Sequence, residues 1–237
     1  TYEEGGDHNY YEIPNEGRFV IEENLTIPRY LQIDNWNGEI YIPAGVTLTL
    51  EGAVNCNKLI VDGELVIKEG TWLGVHNSLE VNGGITIHNN GHMDLKYEAW
   101  TDSFNTAISL GEESSWINVY YEAESAADAS TGLNCLEKLN TKPGIGKSLN
   151  IYFPWTLEEN LVLPEGVGLS VSASWDNQNG SLVVPEDITL TLNDYLRIAD
   201  TEAFIYGTLV NHGNIDLVRD NWDTEDSGRI GRLTLAA

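Results

Sequence analysis

The feature that most constrains this chain is a duplication. The block Phe19-Val20-Ile21-Glu22-Glu23-Asn24-Leu25-Thr26-Ile27-Pro28 returns as Trp155-Thr156-Leu157-Glu158-Glu159-Asn160-Leu161-Val162-Leu163-Pro164, 136 residues later. Asp34-Asn-Trp-Asn-Gly38 returns as Asp176-Asn-Gln-Asn-Gly180, and Val46-Thr-Leu-Thr-Leu50 as Ile188-Thr-Leu-Thr-Leu192, both shifted by 142. Asn90-Gly-His-Met-Asp-Leu95 answers His212-Gly-Asn-Ile-Asp-Leu217 at a shift of 122, and Trp100 answers Trp222 at the same shift. Matching blocks in one order, separated by small insertions, mean a repeated structural unit.

Inside each unit the grain is finer. Apolar residues alternate with polar ones in runs of three to five: Leu25/Ile27, Ile40/Ile42, Val46/Leu48/Leu50, Leu59/Val61, Leu65/Ile67, Ile85/Ile87. A period of two sends successive side chains to opposite faces of a strand. Asn37-Gly38, Pro43, Asp62-Gly63 and Asn82-Gly83-Gly84 punctuate the gaps. Such strands fit an antiparallel sandwich or a coil of stacked parallel strands. The tight spacing and short runs favour the coil, in which Leu, Ile and Val of one parity form ladders along the axis.

One segment departs from this grain. After a strand at Ile117–Tyr121, Ser125 stands before Ala126, Ala129, Leu133, Leu136 and Leu139, which share one helical face. A short helix at about 125–140 is expected, with Gly132 as a local cost of about 1 kcal/mol. The expected units are 1–112 and 113–237, the second opening with this strand and helix. The helix should shield apolar coil surface, since an uncovered coil end invites edge pairing.

Pro43-Ala-Gly45-Val-Thr-Leu-Thr-Leu50, Val81-Asn-Gly-Gly-Ile-Thr-Ile-His-Asn-Asn-Gly91 and Tyr206-Gly-Thr-Leu-Val-Asn-His-Gly-Asn-Ile-Asp-Leu217 resemble the units of bacterial cell-surface β-helix repeat proteins. The likeness covers most of 19–95 and 151–218. Pro185-Glu-Asp187 departs from it by replacing the glycine of the turn. The resemblance implies a right-handed parallel β-helix (β-solenoid) of the broad pectate-lyase-like type; with the duplication and the helical spacing, the expected fold is all-β, in two duplicated halves with one short α-helix between them. It also implies a secreted or surface-attached bacterial protein. Architecture of this kind does not fix an activity.

The 237 residues carry 37 acids and 12 bases, a net charge of −25. That field repels nucleic acid and anionic bilayers, and no run reaches the length of a membrane span. The first residue is Thr1, consistent with an excised piece of a larger secreted precursor and an extracellular or cell-surface location. Cys56 and Cys135 leave both a bridge and two free thiols open.

The sequence is poor in catalytic signatures. It lacks a Gly-x-Ser-x-Gly elbow, and Gly144-Ile-Gly-Lys147-Ser148 lacks the earlier glycine of a phosphate loop. His88 and His92, four apart, do not meet when a turn and a strand separate them, so zinc is discounted. A pair of glycosidase carboxylates cannot be picked out among 37 acids. The acid-rich stretch Asp220, Asp223, Glu225 and Asp226 is the better place for calcium; otherwise no cofactor is expected.

Tryptophan is the most suggestive binding residue, because an indole face stacks on the C–H face of a sugar ring. Trp36 and Trp175 sit near equivalent turns, and Trp100 and Trp222 are matched. These four are the carbohydrate-binding candidates; for each taken singly, sealing the end of an apolar ladder ranks ahead. The expected function is a non-catalytic extracellular module, a structural stalk or an adhesin-like, ligand-presenting solenoid. Its partners would be glycans or host or cell-surface ligands. A carbohydrate-binding accessory module comes second, and a polysaccharide lyase or glycoside hydrolase last.

Overall fold

The computed structural model describes residues 9–12, 17–88, 90–101, 107–110, 116–141, 143–172, 180–218 and 231–235. The chain is a parallel β-solenoid: among the described residues every strand pairing with a defined register is parallel, and each joins one rung to the next. It divides into two compact units, 1–119 with 140–145, and 120–139 with 146–237.

In the first unit one sheet stacks the strands Leu31–Ile42, Ala53–Val61, Trp72–Val81 and His92–Lys96. A second stacks Leu25–Ile27, Thr47–Leu50, Glu64–Ile67, Gly84–Ile87 and Ile108–Leu110. The alternating runs become inward ladders. Ile33, Val54, Leu73 and Met93 lie in one column, Leu48, Leu65 and Ile85 in another, and Leu50, Ile67 and Ile87 in a third. All are buried. Each rung covers the apolar side chains of the previous one, so burial grows with every coil.

The second unit repeats the plan with Ile145–Ile151, Val167–Ser172, Tyr195–Ala199 and Asn214–Val218 in one sheet. The duplicated Thr-Leu-Thr-Leu strands occupy equivalent places, and so does a side-chain contact. Asn24 Oδ1 accepts from the Thr47 amide at 2.9 Å, and Asn160 Oδ1 from the Thr189 amide at 2.8 Å.

The turns separate two uses of glycine. Gly45, Gly70 and Gly166 take φ near +75°, where a Cβ is strained. Asp187, in the Pro185-Glu-Asp corner, is not among the residues with positive φ, whereas Tyr30 in the Pro28-Arg-Tyr corner holds φ +72°. Gly52 and Gly63 serve close approach instead: a Cβ there would strike the carbonyl oxygens of the neighbouring corner.

The helix runs over Ala126–Lys138, with the Ser125 hydroxyl accepting from the Asp128 amide. Its Ala129, Leu133 and Leu136 join the core of the second unit with Leu149, Val167 and Leu169. Gly132 has a packing reason, since a Cβ there would sit 2.5 Å from the Tyr121 ring. Cys56 and Cys135 are both free thiols. No helix among the described residues is long and apolar enough to cross a membrane.

Candidate functional site

The face with the most chemistry is the outward side of the large sheet in the first unit. Parity assigns it: Leu73 and Met93 point inward, so their neighbours Trp72 and His92 point out, as do Gly74 and Asp94. Trp72 pairs in register with His92, and the Trp116 amide donates to the Gly91 carbonyl, bringing Trp116 onto the next rung.

The three rings stack. The Trp72 and His92 centroids lie 6.2 Å apart with an interplanar angle of 8°, and those of His92 and Trp116 4.9 Å apart at 10°. Rungs of a parallel sheet are about 4.8 Å apart, so side chains in one column are held at ring-stacking distance by the backbone. Both ends of the stack border small residues. Gln32 pairs with Ala53, and Val54 with Leu73, which sets Ala53 beside Trp72. At the other end the Ile117 amide donates to the Gly144 carbonyl, setting a glycine beside Trp116. Trp116 is 44% exposed.

One position along the strands runs a polar column, Asp34, Asn55, Gly74 and Asp94. Asp34 and Asn55 are buried, and their charge and amide are matched. Asn55 Nδ2 donates to Asp34 Oδ1 at 2.8 Å, and Gln32 Nε2 donates to the same carboxylate at 3.2 Å. Asn55 Oδ1 lies 3.4 Å from His76 Nε2. A Cβ on Gly74 would crowd Asn55, Trp72 and His76 together, so the glycine lets these side chains close over the backbone.

The next outward position carries His76, on which Trp36 leans at 4.7 Å and 45°. Burial, then the charge of Lys96, pushes the His76 pKa down to about 4, with Asp34 pulling it up. Burial also lowers His92, against the opposing pull of Asp94, whose carboxylate is 3.7 Å away. Both imidazoles are therefore neutral at pH 7, and neutral rings stack without a desolvated charge.

Of the sequence candidates, Trp36 stands on this face and is 44% exposed, while Trp100 is buried. Trp175, Trp222 and the acids Asp220, Asp223, Glu225 and Asp226 lie outside the described residues. Among the described residues no group of three or more His, Cys, Asp or Glu could hold a metal ion. Gly144-Ile-Gly-Lys147-Ser148 runs into the strand Ile145–Ile151, with Lys147 buried. Sequence reasoning missed Trp72, His92, Trp116, His76 and Asn55. The missing signal was the coil length: Asp34, Asn55, Gly74 and Asp94 are 19 to 21 residues apart, and that period also brings Trp72 onto His92.

The second unit is an internal control. Leu196 and Ile215 hold the inward places of Leu73 and Met93, and the outward residues beside them are Gly168, Tyr195 and Asn214. Among the described residues, the column beside this core holds a glycine, a tyrosine and an asparagine where the first unit has its Trp–His–Trp stack. Compared with known proteins, the chain matches no family model, no curated protein and no solved structure.

Proposed function

We propose that this chain is a non-catalytic extracellular surface module, adhesin-like in kind, whose solenoid displays a ligand-contacting face rather than turning over a substrate. The observation that carries this reading is the outward aromatic and polar array of the first unit; among the described residues the matching column of the second holds Gly168, Tyr195 and Asn214. Side chains on the outward face do not fill the core, which leaves the array available to a ligand. A surface-attached or secreted bacterial protein is the setting that agrees with the repeat phrases and with the net charge of −25.

The spacing of the carboxylates supports a non-catalytic role. Asp34 and Asp94 are three rungs apart in one column, about 14 Å at the usual strand spacing. Glycosidase pairs stand about 5 to 9.5 Å apart. Asp34 is also buried and held by two amides, which leaves it poorly placed to move a proton.

A carbohydrate-binding accessory role is the second reading, favoured by the exposed indole of Trp36 against His76. A panel of polysaccharides tests both. Incubation should release no reducing ends and no unsaturated uronates, while beads coated with the protein adhere to cells or glycans. Product formation would sink the proposal, and a Trp36→Ala loss of glycan retention would move the second reading to the front.

A further inference from the structure

We infer that the Trp72–His92–Trp116 stack is a binding site for the sugar rings of an uncharged glycan, which extend the stack at its open ends. This inference rests on the ligand-presenting reading above and names the ligand class and the residues.

Three observations converge on it. The first is geometric. Side chains of successive rungs are about 4.8 Å apart, close to the spacing at which a pyranose C–H face lies on an indole. Ala53 and Gly144 put no ring on the outer faces of Trp72 and Trp116, so a ligand ring continues the column where the protein stops supplying one. The half-exposed Trp116 is the plainer of the two platforms. Gln32 stands beyond Ala53 in the same column and bounds the other.

The second observation is chemical. The stack borders polar side chains on the flank that follows it along the strands, with Asp94 at His92 and Asn55, hydrogen-bonded to Asp34, near Trp72 around Gly74. Sugar rings present an apolar face and a rim of hydroxyls, and the Asp94 carboxylate, 29% exposed, accepts from such hydroxyls. A wholly apolar ligand would leave that flank unused.

The third is electrostatic. The charges that act on His92 and on neighbouring His76 are those of Asp94, Asp34 and Lys96, two carboxylates against one ammonium. With the overall charge of −25, an anionic uronate or sulfated chain would be repelled and an uncharged one would not.

The experiment is isothermal titration and intrinsic tryptophan fluorescence on the full chain. The probes are soluble neutral oligosaccharides of glucose, xylose, mannose, galactose and N-acetylglucosamine, with oligogalacturonate as the anionic comparison. At least one neutral series should bind and change the fluorescence, and oligogalacturonate should not. Trp116→Ala and Trp72→Ala should each weaken binding about tenfold, Trp116→Tyr by less, and Tyr195→Ala on the second unit not at all. Unchanged thermal transitions establish that the variants fold; if Trp116→Ala does not fold, the Trp116→Tyr and Trp72→Ala titrations decide. Preference for oligogalacturonate, no neutral binder, or binding indifferent to both indoles overturns the inference. Bead adhesion that survives such an outcome leaves the surface-module reading standing. Release of sugar products instead removes that reading, whatever the titrations give.

Discussion

Asn35 occupies an inward place that its column otherwise gives to Cys56, Val75 and Leu95. It is buried, and neither its amide nitrogen nor its oxygen has a hydrogen-bond partner. An unsatisfied buried amide costs about 1–3 kcal/mol. Asn35→Val should therefore raise stability by about 1 kcal/mol or more, read as a higher urea midpoint at unchanged slope. His76 gives the pH counterpart. Its folded value of about 4 lies below the ordinary 6.5, so as pH falls the unfolded chain takes up the proton first. Its contribution is full above pH 6.5 and is lost between 6.5 and 4, by at most about 3 kcal/mol. The stability difference between the wild type and His76→Gln should shrink over that interval in urea titrations at pH 7.5, 5.5 and 4.5. A constant difference would remove the neutral, buried imidazole from the account. Neither residue was legible beforehand, because burial of an asparagine or histidine depends on which rung lies above it.

At the scale of elements, the helix was readable almost to the residue. The cap at Ser125 and the apolar steps from Ala129 to Leu136 are local signals, and the helix spans Ala126–Lys138. Gly132 looked like a local cost and is a tertiary requirement. Ala at an exposed helix position gains about 1 kcal/mol over Gly, yet Gly132→Ala would push a methyl group into the Tyr121 ring, whose hydroxyl holds Asp128 at 2.7 Å. Overpacking of this kind costs about 1–3 kcal/mol, so this variant should melt at a lower temperature than the wild type. The turn glycines taught a related lesson. Asn37-Gly38 reads as a positive-φ turn, but Gly38 is not among the positive-φ residues; a Cβ there would meet the Asn35 side chain and the Gly17 carbonyl. The duplicated asparagines make a matched pair: Asn24→Ala and Asn160→Ala should each cost about 1 kcal/mol in denaturant titrations, because each removes the acceptor for an equivalent threonine amide.

For the whole molecule, the net charge of −25 acts on every folded state through self-repulsion. Salt shortens the reach of that repulsion, from about 30 Å at 0.01 M to about 10 Å at 0.1 M. The melting temperature should rise over that range of sodium chloride, and a flat response in calorimetry would show that the surplus carboxylates repel one another too weakly to matter. The sequence by itself determined a repeated, strand-built chain with a helix near residue 130 and favoured a coil over a sandwich, since alternation, turn residues and duplication are written along the chain; that the strands pair in parallel is a property of the fold. Only the tertiary structure decided which side chains share a column. Trp72, His92 and Trp116 stand 20 and 24 residues apart, and nothing local links them. The backbone ladder brings them within stacking distance because each coil consumes a particular number of residues, and that number is set by how its corners turn.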